Sequence, residues 1–328
     1  MMSYKYLFGP VQSRRLGRSL GVDCVPAKVC NLDCVYCECG PTTNQTMQRT
    51  EYVPFEALCA ELNDYLKTSP AIDVLTLTGS GEPLLYSRIG DLIQFIKHDY
   101  PQYKIALLTN GTLLSDPAVR QSILMIDYAL PNLDAVSSAA FGAINQPHPD
   151  LDVQTIVDGI VDFSHEFSGT LWLEVFIVPG VNDSVAELAM IKSTASKMRL
   201  ARVQINSLDR PCADAAIMPA SPQRLQEIAQ YFFPLPVEII ARSFHASMVT
   251  PAASNIKEIV LSTVERRPLT AEDISVVAGI TVNAAQILMA ELAGDALVLK
   301  QSLNGLDYIT SFKLKLPPDT ALAQSQPI

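Results

Sequence analysis

Ile72-Asp73-Val74-Leu75-Thr76-Leu77-Thr78-Gly79-Ser80-Gly81-Glu82-Pro83 is a short apolar run that stops at a glycine-rich turn. A run of this length, rich in valine, leucine and threonine, suits a buried strand rather than a helix. Upstream, Pro54 opens a helical pattern in which Phe55, Leu58, Cys59, Leu62, Tyr65 and Leu66 recur on one face. Downstream the alternation continues. Helix is expected at 87–99, strand at 103–109 ending on Asn110-Gly111, and a short helix at 116–123. A strand at 126–130, a helix at 152–166 and a strand at 171–178 stopped by Pro179-Gly180 follow. Helix 184–197, strand 201–206, helix 222–230 and strand 236–241 complete the series, and residues 20–25 read as a strand ahead of it. Six to seven strand–helix repeats predict a parallel sheet with helices outside. In such folds chemistry sits at the carboxyl ends of the strands. The polar clusters at Cys30–Cys37, Gly79–Glu82, Asn110, Asn132–Asp134 and Asn206 all fall just after a predicted strand, which selects one face of the molecule.

Composition limits the function classes. Of 328 residues, 48% are hydrophobic and 18% charged, which excludes a disordered chain and leaves ample core for one large or two ordinary domains. No apolar run approaches the ~20 residues of a bilayer span. The richest, Leu171 to Val181, is short and contains Glu174. Lys5 and Arg14 flank no apolar segment of the signal-peptide kind, so a cytoplasmic protein without membrane contact is expected. The formal charge is −10. Residues 1–50 hold Lys5, Arg14, Arg15, Arg18, Lys28 and Arg49 against Asp23, Asp33 and Glu38, a local excess of positive charge in an acidic chain. That balance argues against broad non-specific nucleic-acid binding and leaves room for a local anion site.

Seven cysteines stand at 24, 30, 34, 37, 39, 59 and 212. An odd count with five packed between 24 and 39 is a poor disulfide framework and points to metal or redox chemistry. Cys30, Cys34 and Cys37 are spaced C-x3-C-x2-C. Three thiolates on one loop can hold three irons of a 4Fe-4S cubane and leave the fourth without a protein ligand. An electron-transfer cluster has four cysteines, whereas an open position is what a catalytic metal site needs. The open iron can chelate the amine and carboxylate of S-adenosylmethionine, whose reductive cleavage gives a 5′-deoxyadenosyl radical. A structural zinc, or a non-catalytic metal-sensing regulator, is the alternative reading of the same cysteines.

Cys30-Asn31-Leu32-Asp33-Cys34-Val35-Tyr36-Cys37, with its aromatic residue before the third cysteine, resembles the radical S-adenosylmethionine (radical SAM) superfamily. The resemblance implies a partial (β/α)6 TIM-like barrel and an external low-potential electron donor such as flavodoxin or ferredoxin. It implies cofactor contacts from Tyr36, from Gly79, Gly81 and Glu82 in place of a Gly-Gly-Glu-type motif, and from Asn110, Asn132, Asp134, Glu174 and Asn206. Here Ser80 interrupts the glycines. Glu82 suits the methionine ammonium, and Asn132 or Asp134 the ribose hydroxyls. Glu174 interrupts an apolar strand and faces either the barrel mouth or a polar outer surface. Phe8 to Asp23, Pro131-Asn132-Leu133-Asp134-Ala135, Ile144 to Pro149 and Asp209-Arg210-Pro211 resemble the subgroup placed with wyosine-type tRNA-modifying synthetases. Those relatives hold a second cluster on three upstream cysteines, where this sequence has Cys24. Arg14, Arg15 and Arg18 are candidates for an anionic substrate, since arginine forks suit carboxylate or phosphate. They are equally candidates for structural pairs with Asp23 and Asp33. Cys39 and Cys212 could serve a further cluster or the substrate, or simply fill small apolar positions.

Residues past 250 change character. Helices fit 254–265, 270–278 and 281–293, and strands fit 296–300 and 306–310 about an Asn304-Gly305 hairpin turn. Three helices and a hairpin describe a winged helix. The expected organisation is a radical SAM core at 1–250, a winged-helix domain at 251–316 with Pro251 to Ser254 as linker, and a tail at 317–328. A DNA-reading third helix needs basic residues, and 281–294 contains none. DNA is therefore not expected as a partner. A peptide or protein at the winged helix fits better, and tRNA is not favoured. The substrate stays open among an RNA base, a peptide and a small anionic metabolite.

Overall fold

The computed structural model describes residues 4–240, 256–303 and 305–312. The expected linker at 251–254, Asn304 of the hairpin turn and the tail from 317 lie outside them. The sheet begins with a feature the sequence reading misses. Two strands, β1 (Leu7–Ser13) and β2 (Gly17–Asp23), form an antiparallel hairpin where one strand at 20–25 is expected. Its turn is built locally: the Ser13 hydroxyl accepts from the backbone N–H groups of Arg15 and Leu16, both at 3.2 Å. Gly17 takes φ +71°, and a Cβ there would meet the Asp73 carboxylate at 2.5 Å. Glycine is required at that position by both conformation and space.

From β2 onward every added strand is parallel. The order is β1-β2-β5-β6-β7-β8-β9-β10, with β5 at Val74–Thr78, β6 at Lys104–Thr109, β7 at Tyr128–Pro131, β8 at Thr170–Ile177, β9 at Arg202–Ser207 and β10 at Val237–Ile239. The two-residue strands β3 (Val29–Cys30) and β4 (Asn44–Gln45) pair separately inside the cysteine loop. Register aligns Asp23 with Thr78, Thr109 with Pro131 and Ile177 with Ser207, so the strand ends share one rim. The helices are α1 (Phe55–Leu66), α2 (Ile89–Asp99), α3 (Pro117–Ser122), α4 (Ser138–Asn145), α5 (Val153–Glu166), α6 (Val185–Ala195) and α7 (Pro222–Tyr231). Helix α4 is absent from the sequence reading because its apolar content is too short to display a period.

Alternation sorts the strand residues between two cores. Leu75, Leu77, Ile105, Leu107, Leu173, Val175, Val203 and Ile205 join the large core under the helices. Their neighbours Val74, Ala106, Leu130 and Trp172 form a separate cluster with Leu16, Leu108 and Tyr128 on the other, concave face. Ser19 and Thr76 share a buried hydroxyl–hydroxyl bond of 2.6 Å, and both lie at alternating positions with that inner cluster. Each fully buried leucine or isoleucine contributes roughly 1.5–3 kcal/mol, so the outer layer holds the sheet while the inner face can afford polar groups.

The C-terminal unit has its own apolar core of Val260, Val264, Leu269, Ile274, Met289, Leu292, Val298 and Ile309. It comprises α8 (Ile256–Val264), α9 (Ala271–Ala278), α10 (Val282–Gly294) and the antiparallel pair β11 (Leu299–Leu303) and β12 (Leu306–Thr310). Thr270 and Asp273 form a reciprocal cap on α9, and Gly279 ends it at φ +59°. The strand expected at 296–300 starts three residues later. Ala296 adopts φ +53°, a left-handed turn conformation that a strand cannot contain. Helices α8 and α9 pack on β1. Arg266 pairs with Asp23 at the end of β2 at 3.0 Å, and Tyr308 donates to the Asp209 carbonyl beyond β9 at 2.7 Å. The unit therefore bridges from the β1–β2 side of the sheet to the end of β9.

Candidate functional site

The cysteine loop lies across the carboxyl ends of the strands, and backbone contacts fix it there. The Lys28 N–H donates to the Ser80 carbonyl at 2.7 Å, and the Glu82 N–H donates to the Val29 carbonyl at 3.1 Å. These bonds explain the two glycines. A Cβ on Gly81 would lie 2.0 Å from the Val29 carbonyl oxygen, and one on Gly79 would lie 2.2 Å from the Asp23 carboxylate. Gly81 lets loop and turn approach each other, and Gly79 makes room for the Asp23 carboxylate at the end of β2, before any ligand is considered.

Cys30, Cys34 and Cys37 are free thiols on this loop, and each sulfur receives a side-chain N–H. Asn110 Nδ2 reaches Cys30 Sγ at 3.6 Å, Asn145 Nδ2 reaches Cys34 Sγ at 3.4 Å, and Lys28 Nζ reaches Cys37 Sγ at 3.3 Å. The Leu32 N–H adds a second donor to Cys30 at 3.5 Å. Burial pushes the Cys30 thiol up to about 12 and that of Cys34 well above its ordinary value. The neighbouring Cys39, through its side chain and its backbone N–H, together with the Lys28 ammonium, draws Cys37 down to about 6. Half-buried sulfurs with N–H donors suit thiolates whose charge a metal offsets, because metal binding displaces the thiol proton. Among the described residues no three Cys, His, Asp or Glu side chains converge on one ion position. Three thiolates that each serve a different iron do not need to. The donor set thus fits a cluster-type group.

Around the loop the predicted polar residues form two hydrogen-bonded sets. In the first, buried Glu82 accepts from Thr109 Oγ1 at 2.6 Å, from the Leu84 N–H at 3.0 Å and from the Asn110 N–H at 2.8 Å. Desolvation nevertheless raises its carboxyl to about 7. Asn110 also donates to Asn31 Oδ1 at 2.7 Å, and Asn31 donates to Thr112 Oγ1 at 2.6 Å. In the second, Asp134 accepts from the Phe176 N–H at 2.9 Å, from Asn145 at 2.8 Å and from the Tyr36 hydroxyl. Tyr36 stacks on Phe176 with centroids 3.9 Å apart. Burial raises Asp134, and these hydrogen bonds oppose the rise. Asn132 makes a single bridge with Glu174 between β7 and β8.

Glu174 resolves in favour of the concave face. It lies at alternating positions with Trp172 and Phe176, pairs with Arg15, and accepts from Asn206 Nδ2 at 3.2 Å. Arg15 also reaches Gln204 at 3.3 Å, so the β1–β2 turn reaches the two far strands. Arg14 pairs with Asp209 at 2.8 Å. Arg18 is not brought to the site: it is half-exposed beside Asp73. Cys212 is buried, donates to the Asp214 carbonyl at 3.2 Å, and burial pushes its thiol up to about 12. Cys39 donates to the Arg266 carbonyl at 3.1 Å. Cys24 and Cys59 are core. His148 holds the loop through its backbone, donating to the Asn31 carbonyl at 2.9 Å.

The sequence reading misses Asn145, Lys28, Asn31, Thr109 and Thr112 as site residues. Asn145 has a signal, since it falls inside the Ile144 to Pro149 run. Lys28 has none: a lysine two residues before a cysteine reads as solvated, and only its left-handed backbone (φ +65°) turns it inward.

The radical SAM superfamily model matches residues 24–190. A UPF0026 protein of Helicobacter pylori strain J99 is 37% identical over 270 residues, covering 81% of this chain and 86% of that protein. A protein of Brachyspira hyodysenteriae named GTPase Obg is 35% identical over 230 residues, 70% of this chain; the chain spans only 33% of that relative's length. Among solved structures, SuiB of Streptococcus suis bound to S-adenosylmethionine superposes with a TM-score of 0.51 at 13% identity, covering 72% of this chain and 53% of SuiB, a likeness of fold alone. With half the chain matched by the superfamily model and most of a relative's length matched at this identity, the chain belongs to the radical SAM superfamily and to the UPF0026 proteins.

Proposed function

We propose that Cys30, Cys34 and Cys37 hold the 4Fe-4S cluster with one iron open, and that the chain cleaves S-adenosylmethionine reductively and abstracts hydrogen from a substrate on the concave face. The cluster and S-adenosylmethionine are the cofactors of the superfamily to which the chain belongs. Radical SAM enzymes need a low-potential reductant, and flavodoxin or ferredoxin would serve here. The observation that carries the reading is the loop itself: three free, half-buried thiols, each with an N–H donor, pinned against a glycine turn at the carboxyl ends of parallel strands. When bound, the cluster supplies the electron that splits the sulfonium into methionine and a 5′-deoxyadenosyl radical.

The protein's own residues orient and shield. Glu82 ties the end of β5 to the end of β6 and offers negative charge for an ammonium. Gly79 and Gly81 present backbone, while Asn110 and Asn145 hold the sulfurs of Cys30 and Cys34. Asp134 fixes Tyr36 over Phe176. Asn132, Glu174 and Asn206 are polar groups of the inner face suited to the remainder of the cofactor. Residues 1–250 are read as the catalytic core, 251–316 as a winged-helix domain and 317–328 as a tail. Between 255 and 310 there are four basic residues (Lys257, Arg266, Arg267, Lys300) and seven acidic ones, which favours a peptide or protein partner over nucleic acid at this unit. The likeness to wyosine-type synthetases is kept at the level of the shared core.

Anaerobic reconstitution followed by dithionite and S-adenosylmethionine tests the proposal. Release of 5′-deoxyadenosine with methionine is expected, and its loss in Cys34→Ala. Full release by that variant, or a mononuclear zinc in oxygen-protected protein, would refute the ligand assignment.

A further inference from the structure

The seam between the barrel rim and the C-terminal unit concentrates arginines. Arg210 follows β9 and is 6% exposed. Its Nη1 lies 3.5 Å from Glu38, the residue after the third cluster cysteine, and its Nη2 lies 3.4 Å from Asp273 of α9. Both contacts are long for charge-assisted bonds, which favour about 2.7–2.9 Å. The buried Nε of Arg210 has no partner. Arg267 follows α8, and its buried Nε is also unpartnered. Among the described residues no ion pair or hydrogen bond is made by the Arg267 guanidinium. It lies close enough to Arg210 and Arg14 to be repelled by both, and close enough to Asp273 and Glu38 to be held. Burial lowers it to about 10, so it stays charged at neutral pH. Arg14 is already committed to Asp209 at 2.8 Å. The preceding residue, Arg266, takes the Cys39 thiol on its carbonyl, which places this pair of arginines beside the cluster-bearing loop.

Arg267 is half-buried, with its Nε shielded and unpartnered, and a guanidinium N–H left so is costly unless an acceptor meets it. Packing alone would be served by methionine or leucine. We infer that Arg267 of the C-terminal unit and Arg210 of the barrel rim together form a receptor for an anionic group, carboxylate or phosphate, of the substrate. The Arg267 fork, free of ion pairs among the described residues, suits bidentate recognition of either group, and Arg210, held through its Nη atoms by Glu38 and Asp273, adds positive charge and its unpartnered Nε. The C-terminal unit then contributes a specificity residue to the mouth and is not only a cover for the edge of the sheet. The inference rests on the reading of this rim as the substrate entrance.

The test is equilibrium binding, which does not depend on cleavage. Full-length reconstituted protein is titrated calorimetrically at constant ionic strength with pyrophosphate and, separately, with malonate. Saturable binding of at least one probe is expected, and the stronger arm identifies the phosphate or carboxylate class. Arg267→Met keeps the aliphatic stem and should weaken binding roughly tenfold or more. Arg267→Lys should recover part of the loss, and Lys67→Met, just past the end of α1, should change nothing. As a check that needs no variant, mapped phenylglyoxal modification of Arg267 in the wild-type protein should be slowed by the bound probe. No saturable binding by either probe, equal binding by Arg267→Met, or no protection of Arg267 would overturn the inference. Anion binding without 5′-deoxyadenosine release would leave it standing while removing the radical reading, and release without anion binding would do the reverse.

Discussion

Gly81→Ala perturbs the contact on which the site depends. The new methyl carbon would stand 2.0 Å from the Val29 carbonyl oxygen, 2.9 Å from its carbon and 3.0 Å from a Val25 methyl. Two of those three obstacles are backbone, so no rotamer change relieves the clash. The turn and the loop must separate by more than 1 Å, roughly, to restore van der Waals contact. That movement breaks the Glu82 N–H bond to Val29 and strains the Lys28 N–H bond to Ser80. Each buried backbone group left unsatisfied costs about 1–3 kcal/mol, so a loss of about 2–5 kcal/mol in stability is expected. The displaced loop also carries Cys30 away from Asn110, so cluster retention should fall with stability. Urea unfolding of cluster-free protein gives the first quantity, and iron and sulfide content after anaerobic reconstitution gives the second. Gly142→Ala in α4 is the matched control, because a Cβ there has nothing within 4 Å. It should stabilise by roughly 0.5–1 kcal/mol. A Gly81→Ala protein that unfolds at the wild-type urea midpoint and loads full iron would refute the claim that Gly81 is there to bring two backbones together.

Two further perturbations probe the electrostatics. Arg266→Met leaves Asp23 buried without its cation, and breaking such a pair costs about 3–5 kcal/mol. Asp23 is already raised by burial, so the loss measured by urea unfolding should shrink as the pH is lowered and the carboxyl protonates; a pH-independent loss would argue that packing, not charge, holds the seam. Glu82 titrates in the fold at about 7 against an ordinary 4.5. The folded state therefore binds a proton more tightly than the unfolded state. This group's contribution to stability is fully present below about 4.5 and is lost as pH rises through 7, by an amount on the order of 3 kcal/mol. Glu82→Gln should flatten that part of the stability–pH curve in cluster-free protein, and an unchanged slope between pH 5 and pH 8 would contradict the assignment.

The sequence was informative wherever a local rule was enough. Apolar runs of strand length stopped by Gly79-Ser80-Gly81, Asn110-Gly111 and Pro179-Gly180 located the parallel strands to within a few residues, because burial on both faces leaves a nearly continuous apolar signal. Spacing on a single loop likewise singled out Cys30, Cys34 and Cys37 as candidate ligands. The hairpin of β1 and β2 escaped because Phe8-Gly9-Pro10 shows no alternation, and the first strand of the last hairpin was placed three residues early because nothing marks Ala296 as left-handed, while its second strand at 306–310 stands where expected.

Function of individual polar residues was the harder part. Asp134, expected with Asn132 as a candidate for the ribose hydroxyls, is engaged within the protein by Tyr36, Asn145 and Phe176. Glu174 could be inner or outer until Arg15, 159 positions away, was seen to meet it. Composition and short-range spacing encode which groups a chain owns and which elements they ride on. Whether a buried charge is paired depends on side chains distant in sequence arriving at the same point, and only the folded chain decides that. Arg267 shows the distinction most plainly: in the sequence it is one arginine of a pair after a helix, and in the fold it is a half-buried cation near the cysteine loop whose shielded Nε has no partner among the described residues.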